Sequence, residues 1–246
     1  MIPETLRIHI KEDTLEALHF ERPRARQVLF CHGFPGIYKH LDLAEDLFQA
    51  GFGVVVMKYR GVDSSTGSFN FLSAIEDVAG VTQFVSREGI APDGIGIFGY
   101  SIGAYYALNV AVDTPAIKAV CALSPVTDLP RAARANFENI YQLMFDAQTV
   151  IKTNGVHDLV ASFAEIWKTY NLPDRVKHIQ GIPLLIIDGT NEDRGDPQQS
   201  RILYAAANEP KQLHWLTNAG HYFELPQERK ELTNLIQEFF QQTLVQ

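Results

Sequence analysis

The sequence predicts an α/β protein built on a largely parallel β-sheet, and two observations support that prediction. Short, nearly continuous runs of aliphatic and β-branched residues recur along the chain, which is typical of strands buried on both faces. They cover residues 28–31, 54–57, 95–98, 119–123 and 184–187. Segments with apolar residues at helical spacing separate these runs, so that strand and helix alternate. This order predicts parallel strands joined by right-handed helical crossovers.

The other elements follow from local patterns. Apolar and polar residues mostly alternate over residues 6–10 and 15–20, around a polar Lys-Glu-Asp turn, which predicts an opening hairpin with one solvated face. Apolar stripes over residues 41–48 and 72–85 predict two helices. A third stripe, over residues 226–244, predicts a final helix that packs on the core.

One connection is far longer than a crossover requires. About sixty residues separate the strand that ends at Leu123 from the strand that begins near Pro183, whereas most connections in compact domains are short. Two apolar helical faces lie within it: Phe137, Ile140, Tyr141, Met144 and Phe145 on the first, and Val156, Leu159, Val160, Phe163, Ile166, Trp167 and Tyr170 on the second. We interpret residues 126–181 as an inserted helical cap. Its stripes either pack as in ordinary helices or line a substrate cavity.

Composition restricts the class of protein. A chain of 246 residues with 46% hydrophobic content can bury a full core, so one domain over residues 1–246 is expected. No run approaches the roughly 18 apolar residues of a membrane span, and the first residues lack the pattern of a signal peptide. These features predict a soluble, cytoplasmic protein with no membrane partner. The net charge of −8, without a basic cluster, argues against nucleic acid as a partner.

Neither metal nor cofactor chemistry has a sequence signal. The two cysteines, Cys31 and Cys121, lie in or beside apolar runs, where a thiol most often acts as a small buried hydrophobe. The chain contains no C-x-x-C motif and no cluster of histidine and cysteine at metal-ligand spacing. We therefore predict no metal and no cofactor.

Residues 99–103 read G-Y-S-I-G and join a predicted strand to a run of small residues that predicts a helix. In this context the serine occupies a turn so tight that side chains at both outer positions would clash, which explains the two glycines. Such a turn is known as a nucleophile elbow, and it projects the hydroxyl of Ser101 from the sheet edge. We predict that Ser101 is a nucleophile.

A serine hydroxyl needs a base to remove its proton and a carboxylate to orient that base. His221 lies in a glycine-containing loop after the apolar run 213–216 and before the last helix, where a loop at a strand end presents its side chain to a site. We predict that His221 is the base. Most other histidines fall in hairpin, helix, strand or cap segments and are assigned packing or surface roles: His9, His19, His40, His157, His178 and His214.

The acid is expected in the loop at residues 188–197, which follows a buried strand. The loop offers four acidic side chains, of which Asp188 stands too close to the strand. Three acids remain: Glu192, Asp193 and Asp196. We choose Asp193. The chain order of nucleophile, acid and base is then that of the α/β hydrolases and differs from that of chymotrypsin or subtilisin.

Acyl transfer by a serine creates an oxyanion, which backbone amides can stabilise. The amide of Ile102 follows the nucleophile at a helix N-terminus, where the helix dipole also favours negative charge. A second amide is expected from Phe34, in the H-G-F-P-G turn directly after the strand at 28–31. We predict that Phe34 and Ile102 form the oxyanion hole and that His32 braces the turn through its own hydrogen bonds.

In their order along nearly the whole chain, these motifs resemble those of the α/β-hydrolase superfamily. The motifs are His-Gly-Phe at 32–34, Tyr-Arg-Gly at 59–61, the serine motif at 99–103, the acid loop at 189–197 and Gly-His at 220–221. Within the superfamily the chain resembles small esterases and the catalytic domains of prolyl-oligopeptidase-type serine peptidases, the latter particularly in Ser-Pro-Val-Thr-Asp at 124–128. The resemblance implies a mostly parallel, eight-stranded sheet with helices on both faces and a serine triad. It also implies a strand between those of Cys31 and Cys121, a separation too large for a disulfide.

Two departures from the superfamily pattern bear on the site. The acid loop is longer than the usual G-x-x-D-x-x-V-P, so Glu192, third after the glycine, competes with Asp193, fourth before the proline. The distance to the proline favours Asp193, and Asp128, after the preceding strand, is a further alternative. Residues 59–65 lack the H-G-x-S ending common after that strand, which leaves the shape of that pocket wall open.

We therefore predict a serine hydrolase that cleaves carboxylic esters with small or medium acyl groups through a covalent acyl-enzyme. Ser101 attacks, His221 acts as base and then as acid, and Asp193 orients His221. A serine peptidase acting on short peptides is the alternative, so the partner is a small-molecule ester or a short peptide. The ester is preferred because fewer than thirty residues precede the strand at 28–31, too few for an accessory screening domain. A non-catalytic ligand-binding protein on the same fold is the third alternative.

Overall fold

The computed structural model describes residues 2–36, 40–192 and 194–244. Its strands are β1 (Glu4–Ile10), β2 (Asp13–Phe20), β3 (Gln27–Cys31), β4 (Gly53–Met57), β5 (Ile95–Tyr100), β6 (Ile117–Leu123), β7 (Leu184–Gly189) and β8 (Lys211–Leu216). Its helices are α1 (Leu41–Gln49), α2 (Phe71–Arg87), α3 (Ile102–Asp113), α4 (Leu129–Ala147), α5 (Val156–Thr169), α6 (Leu172–Arg175), α7 (Gln198–Ala206) and α8 (Pro226–Thr243), with a 3₁₀ turn at Val176–His178. The predicted buried strands are β3 to β7, and the predicted helices are α1, α2, α3, α4, α5 and α8.

All eight strands form one sheet in the order β1-β2-β4-β3-β5-β6-β7-β8. Pairing is antiparallel between β1 and β2 and between β2 and β4, and parallel in the other pairs of this order. The predicted mostly parallel sheet with helices is confirmed. The β1–β2 pair is antiparallel because a hairpin joined by a short turn can only pair in that way. The carboxyl ends of β3 to β8 meet at one edge, which is where open α/β sheets bind ligands.

The central strands are buried on both sides because successive side chains point to opposite faces. On one face Leu29 and Val55 pack with α2 and α3, and on the other Val28 and Val54 pack with α1 and α8. This double burial explains why the strands read as continuous apolar runs. Cys31 and Cys121 are buried free thiols on β3 and β6, with β5 between these strands.

Residues 126–181, here called the cap segment, leave the sheet after β6, return at β7 and contain α4, α5, α6 and the 3₁₀ turn. Helix α4 is interrupted at Asn136, whose φ of −151° and ψ of 40° are not helical. Bridges of Val62 with Ile151 and of Phe69 with Thr153 attach the cap segment to the loop after β4. Within the three described stretches of chain, none of the helices combines the length and apolarity needed to cross a membrane.

Candidate active site

Ser101 lies in the turn between β5 and α3, at the edge where the carboxyl ends of the parallel strands meet. Its φ of 55° lies in the left-handed region, which is unfavourable for a residue with a side chain. A Cβ at Gly99 would lie 2.5 Å from Cα of Ala104, and a Cβ at Gly103 would overlap the carbonyl oxygen of Cys31. Both outer positions therefore require glycine, for the reason that the motif suggests.

Backbone hydrogen bonds from the neighbouring strand support this strained turn. The amide of Ser101 donates to the carbonyl oxygen of Leu123 at 2.8 Å, and the amide of Val126 donates to the carbonyl oxygen of Ser101 at 3.3 Å. Ile102 is the first residue of α3, so its amide is one of the N-terminal groups that have no acceptor within the helix. The turn thus presents a serine hydroxyl and a helix N-terminus side by side.

His221 and Glu192 form a buried pair. Nδ1 of His221 lies 2.7 Å from Oε2 of Glu192, whose side chain is only 3% exposed. The other carboxylate oxygen accepts hydrogen bonds from the amides of Arg194 and Gly195, both at 2.8 Å. Burial raises the pKa of Glu192, but His221 and the two amides outweigh burial and hold the pKa below its ordinary value.

The ionised state of Glu192 determines which nitrogen of His221 carries the proton. An ionised carboxylate can only accept hydrogen bonds, so Nδ1 of His221 must donate to it. In the neutral ring, Nε2 then holds the lone pair and can accept a proton. Glu192 therefore gives His221 the tautomer that a general base needs.

The sequence analysis chose Asp193 as the acid and kept Glu192 as its competitor. Asp193 lies outside the described residues, so that choice stays a prediction. Glu192 occupies the place expected of the acid. The signal that points to it is its position as the third residue after Gly189, whereas counting back from the proline favours Asp193, and the two counts differ because the loop is longer than usual.

Two other acids near the loop have structural contacts. Asp128, the second alternative, caps α4 by accepting a hydrogen bond from the amide of Arg131 at 2.9 Å. Asp196 forms an ion pair with the guanidinium of Arg131. Among the acids that the structure describes, Glu192 is the one hydrogen-bonded to His221.

Asp188 is a second buried carboxyl at this edge. It accepts hydrogen bonds from the hydroxyl of Ser124 at 3.2 Å, the amide of Gly189 at 2.9 Å and the hydroxyl of Ser200 at 2.5 Å. Burial, together with the charge of Glu192, raises the pKa of Asp188 to about 6 despite these donors. Asp188 thus connects the ends of β6, β7 and α7 and, as predicted, does not serve as the partner of the histidine.

Tyr100, the residue before Ser101, contacts the loop of His221 directly. Its hydroxyl donates to the main-chain carbonyl oxygen of His221 at 3.3 Å, and the two ring centroids lie 5.1 Å apart. On its other side the ring of His40 packs edge-on at 4.2 Å. The motif gives no signal for this role, because the residue before the serine in G-x-S-x-G has no required chemistry.

His32 is buried and braces its turn, as the sequence predicts. Its Nδ1 lies 2.7 Å from the carbonyl oxygen of Gly33, and its own carbonyl oxygen accepts a hydrogen bond from the hydroxyl of Tyr59 at 3.1 Å. Burial lowers the pKa of His32 to about 4, so the ring is neutral at neutral pH. The turn continues into Phe34, whose ring packs against Phe69 and Phe71 at 5.3 and 5.1 Å.

A cavity of about 950 Å³ opens onto Ser101, Glu192 and His221 together. Its apolar lining comes from both the sheet edge and the cap segment: Phe34, Phe71, Ile102, Val126, Ile140, Leu143, Met144 and Phe163. Residues 59–65, all of them described, do not line it, so the departure noted there does not shape this cavity. The described residues include no group of three or more His, Cys, Asp or Glu side chains that could hold a metal ion.

The sequence analysis left open whether the apolar stripes of the cap segment pack as in ordinary helices or line a cavity, and the side chains of α4 differ in this respect. Ile140 and Met144 line the cavity, which is a substrate-facing position. Phe137, Tyr141 and Phe145, from the same predicted face, are exposed instead. Both sets lie on the part of α4 that follows Asn136, so one predicted stripe contains cavity-lining and solvent-exposed side chains.

The model of the prolyl oligopeptidase family matches residues 40–246, which include Ser101, Glu192 and His221. The chain belongs to the prolyl oligopeptidase family. This membership confirms the resemblance that the motifs indicate.

Individual proteins resemble this chain either in sequence or in fold. The uncharacterised protein Rv2307c of Mycobacterium tuberculosis is 25% identical over 222 residues, which cover 89% of this chain and 70% of that protein. An esterase of Pyrococcus furiosus superimposes with a TM-score of 0.75 at 17% identity, covering 99% of this chain and 92% of that chain. The monoglyceride lipase of Saccharomyces cerevisiae superimposes with a TM-score of 0.75 at 16% identity, covering 100% of this chain and 96% of that chain. The two structures establish the fold alone, which is that of the α/β hydrolases.

Proposed function

We propose that this protein is a serine hydrolase that cleaves carboxylic esters through a covalent acyl-enzyme. One observation carries the proposal: a strained serine at the sheet edge and a buried histidine–carboxylate pair open onto the same cavity. Backbone strain of this kind is concentrated at functional sites. A serine, a base whose ring nitrogen can accept a proton and an oriented carboxylate are the set that nucleophilic acyl transfer requires.

The proposed reaction begins when Nε2 of His221 takes the proton of Ser101 Oγ as this oxygen attacks the ester carbonyl carbon. Glu192 stabilises the imidazolium that forms. The amides of Phe34 and Ile102 hold the oxyanion of the tetrahedral intermediate. His221 then gives its proton to the leaving alcohol oxygen, the acyl–oxygen bond breaks, and water releases the acid by the same steps in reverse order.

Family membership favours a second candidate, a serine peptidase that acts on short peptides. The same side chains would serve both reactions, so the choice depends on the leaving group and on the cavity walls. An ester is preferred because an alkoxide is expelled more easily than an amide nitrogen and the lining beside Ser101 is mostly apolar. Rates on an ester and an amide of the same acyl group decide between them. Amide turnover equal to ester turnover would reverse this order.

The mechanism is tested with Ser101→Ala, p-nitrophenyl butyrate and a fluorophosphonate probe. We expect the wild type to be labelled, and we expect Ser101→Ala to lose labelling and kcat to fall by about 10⁴-fold or more. Ser64→Ala, at an exposed serine outside the cavity, is the matched control and should retain both the labelling and the wild-type kcat. A wild type that neither reacts nor labels would support the non-catalytic alternative instead.

A further inference from the structure

The cavity at Ser101 is apolar at one end. Three aromatic rings form a continuous row there, because Phe34 lies 5.1 Å from Phe71, and Phe71 lies 5.1 Å from Phe163 on α5. The row begins at the residue whose amide we place at the oxyanion and runs into the cap segment. Met144, a buried residue of the second half of α4, also lines the cavity and belongs to the same apolar cluster as Phe71.

The opposite end of the cavity is polar and lies beside the acid loop. The ion pair of Arg131 with Asp196 places the first half of α4 against the loop that carries Glu192. Asn136, about one and a half helical turns beyond Arg131, lines the cavity together with Asp196 and Arg194. The guanidinium of Arg194 in turn lies 5.7 Å from the ring of Tyr222, the neighbour of His221. This end therefore surrounds the base.

The chemistry of the base assigns the two ends to the two halves of an ester. His221 must give its proton to the leaving oxygen, so the alcohol lies on the His221 side and the acyl group points away from it. We propose that the substrates are esters of an apolar acid with a small, uncharged, polar alcohol. The acyl chain lies along the aromatic row, and the alcohol lies between His221 and Asn136. This inference rests on the proposed ester hydrolysis.

Charge restricts the alcohol further. The described lining contains four carboxyl side chains, Asp146, Asp188, Glu192 and Asp196, and one guanidinium, that of Arg194. Asp188, Glu192 and Asp196 lie at the end assigned to the alcohol, where Asp196 is paired with Arg131, and Asp146 lies on the second half of α4. A leaving group that carries phosphate would meet repulsion in a partly desolvated site, where charges interact more strongly than in water. An uncharged polyol such as glycerol meets hydrogen-bonding groups instead.

The test compares monoesters that differ in one half at a time. For octanoic acid we expect kcat/KM to be at least about fivefold higher with glycerol than with butanol as the alcohol, and lower again with glycerol phosphate. For glycerol we expect octanoate to exceed acetate by at least about tenfold, because each buried methylene contributes to binding in an apolar pocket. Butyl ester turnover equal to glycerol ester turnover, or preference for the phosphate, would overturn the inference.

Two variants connect these preferences to the two ends. Phe163→Ala should lower the ratio of octanoate to acetate turnover about tenfold, whereas Phe137→Ala, on the exposed face of α4, should leave it unchanged. Asn136→Leu should lower the ratio of glycerol to butyl ester turnover about fivefold. Its control, Glu138→Leu, adds the same side chain at an exposed site of α4 outside the cavity.

The readouts are ratios on one preparation, so a loss of folded protein cancels from each of them. Ratios that stay at wild-type values in Phe163→Ala and Asn136→Leu contradict the assignment of the two ends. Failure of the proposed function has a different signature, namely no hydrolysis of any ester and no fluorophosphonate labelling in the wild type. An active, labelled enzyme without these preferences contradicts the substrate class alone.

Discussion

The sheet edge around Ser101 and the cap segment above it differ in how tightly they are packed. At the edge Tyr100 and Ile102 are each only 5% exposed, and no atom can be added at Gly99 or Gly103 without overlap. In the cap segment the second half of α4 leaves large apolar side chains in solvent, with Phe137 56% and Phe145 53% exposed. The difference indicates that backbone contacts hold the candidate catalytic residues, whereas a few side-chain contacts hold the part of the cavity wall that the cap segment forms.

The two regions meet at a small number of polar contacts. The side-chain oxygen of Gln199 accepts hydrogen bonds from the amides of Thr127 and Asp128 at 2.8 and 2.6 Å. The ion pair of Arg131 with Asp196 is the neighbouring contact. Since Gln199 begins the helix that follows the acid loop, these contacts anchor the start of the cap segment to the edge and leave the rest of α4 more loosely held.

After the loss of the serine itself, the largest effect is expected from Glu192→Gln at the edge. A neutral amide no longer stabilises the imidazolium and can present its NH₂ group to His221, which favours the wrong tautomer, so kcat should fall on the order of 10³- to 10⁴-fold. Steady-state kinetics on p-nitrophenyl butyrate measure this loss. Asp193→Asn is the matched comparison and should cost less than tenfold. The reverse ranking would identify Asp193 as the acid and refute the role proposed for Glu192.

Gly103→Ala tests this comparison by adding one carbon at one of the tightest backbone contacts of the edge. The new Cβ overlaps the carbonyl oxygen of Cys31, so the start of α3 must move away from β3. This movement separates the amides of Ile102 and Phe34, and loss of one oxyanion donor costs about 10²- to 10³-fold in kcat. Kinetics and thermal unfolding are measured together. A variant with wild-type kcat would show that the edge is more tolerant than its geometry indicates.

The two buried carboxyls of the edge should respond to pH in opposite directions. The folded pKa of Asp188 is about 6, above its ordinary value of 3.8, so the folded state holds this proton longer than the unfolded state. Its contribution to the free energy of unfolding therefore decreases as pH rises from about 4 to about 6, by on the order of 3 kcal/mol. Asp188→Asn should gain stability relative to wild type over that interval.

Denaturant unfolding of Asp188→Asn and Glu192→Gln at several pH values checks this sign. The pKa of Glu192 is lowered on folding, so its stabilising contribution is present above its unfolded pKa and is lost as pH falls through the folded value. The difference between Glu192→Gln and wild type should therefore shrink in acid. If both variants showed the same slope, the electrostatic description of this edge would be wrong.

The smallest effect is expected from Arg131→Ala, which removes the ion pair between the cap segment and the acid loop. Its side chain is 43% exposed, and pairs of this exposure contribute at most about 1 kcal/mol. We expect kcat/KM to change less than about threefold and the melting temperature to change little. A loss on the order of 10²-fold would show that the cap segment positions Glu192, and the contrast between the two regions would then fail.

Much of the fold was predictable because its cause is local. The strands β3 to β7 are buried on both faces, so each appears as a short continuous apolar run, and the hairpin shows the alternation of a half-solvated pair. Ser101 and His221 were identifiable because a tight turn demands glycines at fixed positions and the family places its motifs in one order. Neither the strands nor these two residues required knowledge of which distant segments come into contact.

Two features could not be predicted from local sequence: which acid pairs with His221 and which side chains of α4 line the cavity. Glu192 and Asp193 are adjacent residues of the same chemistry, and burial together with two backbone amides makes Glu192 the partner of His221. The contact of Tyr100 with His221 joins residues more than a hundred positions apart. On α4, Ile140 lines the cavity and Phe137 faces solvent although both fit one predicted stripe.

The sequence by itself determined the α/β class, the elbow at Ser101 and the choice of His221 as the candidate base, because repeating apolar runs, sterically required glycines and the order of the motifs can all be read from the order of residues. Tertiary structure alone decided that Glu192 meets His221, that Asp188 is held as a separate buried carboxyl, and which side chains of α4 face the cavity. The physical reason is that desolvation and hydrogen bonding depend on which distant segments come together, and no local pattern records that.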